Sequence, residues 1–398
     1  MKLHVFHNLP SGGGARALSS VLPHLRERFT VEIHAPEGSA PVCGETGGLR
    51  IWPFPQGARI PRAARLLGPL PYLRRLSGFD SLCRRIAACI DDSGADCVLV
   101  HNSMYIAAPP LLSYLSTPAL YYCYEFPRHI HERDIIRRTR SWPAEALLAP
   151  LGLRERRMDD AAFRAASEVV TLSSYMAGRL EGIYGVAAGV VRPGVDTVLF
   201  SPGSAAGNGG YAVSVGALWP YKGHDLAVRA ASAAGLREFV IVADREYPGY
   251  RRVLDRLAAS SGMRLLILRG IDDRELISIY RSAAVVICCQ RSEPYGLVPL
   301  EAMACGRPVV AVREGGFVEN IEDGVTGLLA ERRVESVASA VASVTGDRAL
   351  ASSLGAAGRG FVEARRTVPQ AACALADRLG TVMSRSRADA SSNGRTPP

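Results

Sequence analysis

The feature that most constrains this chain is an alternation, met twice, of short apolar runs with stretches of helical periodicity. Residues 3–6 (LHVF) lead into Ser11-Gly12-Gly13-Gly14, then a helical pattern through Leu18, Val21, Leu22 and Leu25, then a second apolar run at 31–33. Runs at 97–100, 119–123 and 169–172 continue the series. Gly, Ser, Pro and Asn crowd residues 201–210, and the alternation restarts at 211–215, 239–242, 265–268, 284–287 and 308–312. Strands separated by helices demand a parallel sheet with crossover connections. The expected fold class is α/β, with two Rossmann-like doubly wound domains facing a central cleft and ligands beyond the carboxyl ends of the strands. The expected boundaries are 1–197 for the first domain and 198–365 for the second. A helix over 366–380 is expected to pack back on the first domain, and 381–398, rich in Ser and Arg, to form a disordered tail.

Several classes of function fall away. No apolar run approaches the ~18 residues of a membrane-spanning helix, and the start MKLHVFHNLP lacks the pattern of a secretory leader. The expectation is a cytoplasmic chain. Nine cysteines without a C-x-x-C pair indicate neither a disulfide framework nor a zinc site, and no metal is expected. The 47 basic residues include two lysines, Lys2 and Lys222. In so arginine-biased a chain, a mid-chain lysine points to a specific task.

Three features carry chemistry. Gly12-Gly13-Gly14 follows a strand and precedes a helix, where backbone N–H groups and the helix dipole receive an anion. It fits neither G-x-G-x-x-G nor the P-loop pattern. In Val215-Gly216-Ala217-Leu218-Trp219-Pro220-Tyr221-Lys222-Gly223-His224-Asp225, Lys222 stands between a strand and a helix, in reach of phosphate oxygens. In Ser292-Glu293-Pro294-Tyr295-Gly296-Leu297-Val298-Pro299-Leu300-Glu301, two carboxylates lie eight positions apart. Glu293 precedes a helix whose first-turn donors are the N–H groups of Tyr295, Gly296 and Leu297, and Glu301 lies two turns on. Carboxylates accept from vicinal hydroxyls, and free N–H groups take phosphate or sugar oxygens.

Segments 213–226 and 281–328, with Ser173-Ser174-Tyr175, Arg192-Pro193-Gly194-Val195-Asp196 and Phe200-Ser201-Pro202, resemble the retaining family-4 glycosyltransferases of the GT-B fold; EPYGLVPLEAMACGRPVV is similar to their E-x7-E signature. The resemblance implies a nucleotide diphosphate sugar as co-substrate, no further cofactor and no obligatory metal; no D-x-D occurs. It implies that Lys222 holds the diphosphate beside Gly216, that Glu293 contacts donor-sugar hydroxyls and Glu301 the ribose, and that Gly13 and Gly14 lie against phosphate and acceptor. Two positions depart from the family. Ala217 stands where an arginine is usual, so Arg291 or Arg128 is expected to supply the second cation. Tyr124 stands where a histidine is usual; a tyrosine there donates to a sugar hydroxyl, and a front-face route that retains configuration needs no enzymic nucleophile. His101, His129 and His131 lie near it in sequence.

For the acceptor, residues 50–85 carry eight arginines against Asp80. Leu66, Leu67, Leu70, Leu73 and Leu76 interleave with them, the pattern of a helix resting on an anionic bilayer. The expectation is a phosphorylated lipid acceptor at the membrane surface, otherwise a small-molecule aglycone. The alternative class of function is a non-catalytic, nucleotide-sugar-binding partner subunit. No recognisable nucleic-acid module interleaves these arginines with stacking aromatics, and no nucleic-acid partner is expected.

Overall fold

The structure is a computed structural model that describes residues 1–42, 48–55, 70–132, 142–203 and 210–392. It divides into one unit of Met1–Arg192 with Ala371–Pro398, and a second of Pro193–Gln370. The first contains β1 (Lys2–Asn8), β2 (Thr30–Pro36), β3 (Leu49–Trp52), β4 (Cys97–Ser103), β5 (Ala119–Cys123), β6 (Glu168–Thr171) and β7 (Gly189–Val190), in the order β3-β2-β1-β4-β5-β6-β7. Its pairings are parallel. Helices cover both faces of such a sheet, which is why β4 and β5 read as unbroken buried runs rather than alternating ones. The strand order reverses between β1 and β4, where a doubly wound sheet opens a crevice, and the Gly12–Gly14 turn sits directly after β1.

The second unit repeats the plan with β8 (Tyr211–Val215), β9 (Glu238–Val242), β10 (Arg264–Leu268), β11 (Val285–Cys288), β12 (Val309–Val312) and β13 (Leu328–Ala330), in the order β10-β9-β8-β11-β12-β13. Here the switch point lies between β8 and β11. The loops that leave these two strands carry Lys222 and Glu293, so the topology brings together residues 71 positions apart. The short strands β3, β7 and β13 have no clear signal in the sequence.

Two expectations meet particular helices, and the second is corrected. The helix Leu70–Asp91 buries Leu76, Phe79, Leu82, Cys83, Ile86, Ala87 and Ile90 in the core of the first unit. A helix that rests on a bilayer and one that packs on a core show the same i, i+3, i+4 spacing; of the leucines read as a membrane stripe, Leu76 turns into the core while Leu70 is 59% exposed. Its arginines lie on aromatic rings: Arg84 is 4.3 Å from the Tyr114 ring and Arg75 5.6 Å from that of Tyr105, while Arg50 stacks 4.3 Å from Trp52. Leu66, Leu67, Arg59, Arg62 and Arg65 lie outside the described residues. The correction concerns residues 381–398: the final helix runs from Val368 to Ser392, so the segment read as a tail is helical to that point, and 393–398 lie outside the described residues. Leu375, Leu379, Val382 and Met383 continue one buried stripe. Arg28–Asp377, Arg378–Glu168 and Arg387–Asp96 pairs at 2.8–3.1 Å flank it.

Buried neutral histidines give this fold a pH signature. Burial pulls His7 down to about 4 and lowers His4. It pulls His34 and His101 to about 3, with neighbouring histidines adding to the effect. His224 falls to about 4 because burial outweighs its bonds to the Ala217 and Gly216 carbonyls. A group whose folded pKa is depressed below its unfolded value near 6.5 contributes stability above that value, and loses it as the pH falls. Asp159 has the opposite sign: burial raises its pKa to about 7 against the bonds from Tyr184 and Ala108, so it stabilises more as pH drops from 7 toward 4. Five histidines outweigh one carboxylate, so the urea midpoint is expected to be lower at pH 5 than at pH 7. An equal or higher midpoint at pH 5 would contradict this.

Candidate active site

In the second unit the loop after β8 bends at Gly216, whose φ of 147° suits glycine alone. The Lys222 side chain runs across this residue, its Cδ 3.5 Å from where a Cβ would stand. Gly223 follows at φ 70°, and a Cβ there would fall on the Cys289 carbonyl. Gly223→Ala is therefore expected to destabilise the protein by more than about 1 kcal/mol, read as a lower thermal midpoint; an unchanged midpoint would sink this account of the loop.

The Lys222 ammonium donates to Gln290 Oε1 and lies 3.7 Å from Glu293 Oε2. Glu293 belongs to a clamped loop. Ser292 takes a positive φ of 49°, the Gly316 N–H donates to the Glu293 carbonyl at 2.7 Å, and any side chain at Gly315 would strike the Glu293 backbone. Arg332 holds the other side, donating to the Cys289 and Gln290 carbonyls at 2.9 and 2.8 Å and to both carboxylate oxygens of Glu314. Burial works to raise the Glu314 pKa, but the bonds and charge of Arg332 outweigh it and hold the carboxyl below its usual range.

The helix Leu297–Ala304 starts from Gly296, at φ 97°, with no side-chain cap, so the Leu297 and Val298 N–H groups lead its positive end; Pro299 has no N–H to offer. Gly296 tolerates no side chain, since a Cβ would meet the Phe317 ring at 2.8 Å. Tyr295 is buried, its hydroxyl donating to the Pro193 carbonyl at 2.7 Å, so its side chain is structural. Glu301 is 5% exposed and accepts from the Tyr280 hydroxyl at 2.9 Å. Burial, then Cys289, Glu293 and Glu301, push the Cys288 thiol well above its ordinary pKa, against Lys222. A cation, a carboxylate and a helix N-terminus at one strand end bind and stabilise a phosphate while accepting from hydroxyls.

In the first unit, Gly13 and Gly14 begin the helix Gly13–Arg28, capped by Gly12 at φ 133°. A Cβ at Gly14 would stand 3.6 Å from the Tyr124 ring, so the glycine turn and Tyr124 share one site. Tyr124 stacks on Tyr122 and His101, with centroids 4.8 and 5.4 Å apart, and its N–H donates to Asn102 Oδ1 at 2.5 Å. Burial pushes the Tyr124 phenol well above its ordinary pKa, which makes it a hydrogen-bond donor rather than a base. His101 is fully buried, and neither ring nitrogen has a hydrogen-bond partner among the described residues.

Arg128 is already committed to carboxylates. It is 8% exposed and held by Glu125 and Glu132, the latter also bound by Arg179 at 2.8 Å. Arg291 instead stands in the Glu293 loop, exposed, its N–H donating to the Tyr221 carbonyl at 2.8 Å. Sequence reading did not identify Gln290, Arg332 or Glu314. Gln290 at the carboxyl end of β11 was legible as a switch-point residue; the Arg332–Glu314 bracket left no local signal.

His4, Glu32 and His34 bring potential ligand atoms within 4.8 Å. An indole N–H only donates, so Trp52 fixes the direction of a relay: Trp52 Nε1 to His34 Nδ1 at 3.2 Å, His34 Nε2 to His4 Nδ1 at 2.8 Å, His4 Nε2 to Ser93 Oγ at 3.1 Å. The two imidazoles spend their lone pairs on one another and on Trp52, an arrangement built for internal bonding rather than for a cation.

Comparison with known proteins bears on the family and the fold. The model for Glycosyltransferase Family 4 matches residues 11–199 and that for Glycosyl transferases group 1 matches 197–361. The D-inositol 3-phosphate glycosyltransferase of Acidothermus cellulolyticus is 37% identical over 191 residues, covering 42% of this chain and 43% of that protein. That of Kribbella flavida is 34% identical over 216 residues, 48% of this chain and 49% of the relative. The matched part thus spans under half the length of these relatives. Among solved structures, sucrose-phosphate synthase from Thermosynechococcus elongatus has a TM-score of 0.75 at 18% identity, covering 97% of this chain and all of that one. Anabaena HepE in complex with UDP-glucose has a TM-score of 0.71 at 18% identity, covering 96% of this chain and all of that one. Two consecutive family models over two doubly wound domains leave one assignment: the chain belongs to the glycosyltransferases, with a family 4 first domain and a group 1 second domain on the GT-B fold.

Proposed function

We propose that this glycosyltransferase moves a sugar from a nucleotide diphosphate sugar to a hydroxyl of a small phosphorylated polyol, with retention of anomeric configuration. The observation that carries the donor half is Lys222 between Gln290 and Glu293, beside the uncapped N-terminus of Leu297–Ala304. Lys222 and the Leu297 and Val298 N–H groups hold the diphosphate and take up the charge that grows on it as the glycosidic bond breaks. Glu293 accepts from donor-sugar hydroxyls, and Glu301, anchored by Tyr280, is the ribose contact. Gly13, Gly14 and Tyr124 line the acceptor side. With the Tyr124 phenol held protonated, the departing diphosphate oxygen takes the acceptor proton, the front-face route that leaves configuration unchanged. No step calls on a resident metal or cofactor.

The acceptor class is drawn from the relatives, whose names give D-inositol 3-phosphate as their substrate. It is favoured over a lipid because the apolar face of Leu70–Asp91 packs in the core. The test is release of nucleotide diphosphate from a panel of UDP-, GDP- and TDP-sugars, with inositol phosphates in one arm and anionic liposomes carrying polyprenyl phosphate in another. Release dependent on the soluble polyol is the expected result. Release only with liposomes overturns the acceptor assignment. Nucleotide-sugar binding without transfer to any acceptor supports the partner-subunit reading instead.

A further inference from the structure

His224 opens the helix His224–Ala233 two residues after the lysine, and it is 1% exposed. Its Nε2 lies 3.2 Å from the carbonyl oxygens of both Gly216 and Ala217, and its Nδ1 lies 3.0 Å from Ser214 Oγ. Carbonyls only accept, so Nε2 carries the proton and Nδ1 accepts from the Ser214 hydroxyl. One neutral imidazole thus ties strand β8, through Ser214, to two successive carbonyls of the loop that precedes Lys222.

This bond sets a peptide plane. The described residues have no cis peptide bonds, so the C=O of Gly216 and the N–H of Ala217 point in opposite directions within one peptide plane. With the carbonyl turned to His224, the Ala217 N–H turns away from it, on a loop over which the Lys222 side chain is laid. The geometry points to His224 as a positioning residue that orients the Gly216–Ala217 peptide, so that the Ala217 N–H joins Lys222 on the diphosphate. This rests on the donor reading above and adds a ligand group to it. Residue 217 carries no side chain able to reach a phosphate, and the inference makes its backbone the contribution. His224 itself does not touch the donor.

The test is calorimetric binding of UDP, GDP and TDP to the full chain, taking whichever binds most tightly. His224→Phe keeps the ring and removes both bonds, and is expected to weaken binding about tenfold, the cost of one lost charge-assisted bond. His224→Gln returns an N–H donor toward the two carbonyls and is expected to bind within about threefold of wild type. A merely structural histidine would lower the thermal midpoint of both variants while leaving the affinity of the folded protein unchanged, and that result overturns the inference. Should the Phe variant not fold, Ser214→Ala removes the bond to Nδ1 alone, and binding weakened about two- to fivefold is expected; affinity equal to wild type again overturns it. Failure of the wild-type chain to bind any of the three nucleotides would instead bring down the donor reading on which this rests.

Discussion

Lys222→Ala will lower kcat/KM for the nucleotide-sugar donor by about 10³-fold, at the upper end of what removing one preorganised donor costs an oxyanion-type site. The loss falls on both binding and turnover, because the ammonium faces charge present in the bound diphosphate and charge that grows as it leaves. Little can stand in for it. Arg332 is spent on two carbonyls and Glu314, so it holds the loop in place rather than facing a ligand. The ammonium reaches its position through two glycine conformations, at Gly216 and Gly223, that no other residue type adopts without strain. Steady-state kinetics on the purified variant, with its fold checked by circular dichroism, would decide the matter; a loss under tenfold would show that the diphosphate lies elsewhere.

Glu293→Gln is expected to separate sugar recognition from phosphate recognition. The amide keeps the size of the side chain but removes the negative charge 3.7 Å from the ammonium. Affinity for the bare nucleoside diphosphate should stay equal or rise, since Lys222 loses its competing counter-charge. Turnover of the intact donor should fall about 10²-fold, since a carboxylate that accepts from sugar hydroxyls has become a weaker acceptor and gained a donor face. Opposite responses of the two measurements, calorimetric binding and kcat, are the signature sought. Parallel losses would mean that Glu293 serves the loop and not the sugar.

What the sequence disclosed follows the range of the interactions concerned. The approach of Lys222 to Glu293, 3.7 Å apart, was legible because both stand between a strand end and a helix start, while Glu301 lies inside the helix and is held by Tyr280. Arg332 and Glu314, which bracket the same loop from beyond β12, are placed by tertiary contact and left no local pattern. For the helix Leu70–Asp91, an apolar stripe edged by arginine has the periodicity of a membrane-surface helix and of a core helix alike, and the burial of Leu76, Phe79 and Ile86 in one cluster with Phe6 and Tyr121 is what periodicity alone does not give. In the last helix, Ser384, Ser386, Ser391 and Ser392 with the Asn, Gly and Pro beyond them suggested a disordered tail, yet Ala388 and Ala390 favour helix, and Leu379, Val382 and Met383 continue its buried stripe. The approach of Tyr124 to the glycine turn, 110 positions away at Gly14, was not read from the sequence; the sheet supplies it, since both lie at carboxyl ends of its strands.

The central claim is transfer of a sugar from a nucleotide diphosphate donor at the Lys222–Glu293 site. It is tested most directly by following the anomeric proton in a proton NMR time course, with purified protein, an α-linked nucleotide sugar and a phosphorylated cyclitol. The account predicts that the donor signal is replaced by an α-linked product with one equivalent of nucleoside diphosphate, and that Lys222→Ala abolishes the change. A β-linked product would contradict the front-face route, and a donor signal that persists although the nucleotide sugar is bound would contradict transfer itself.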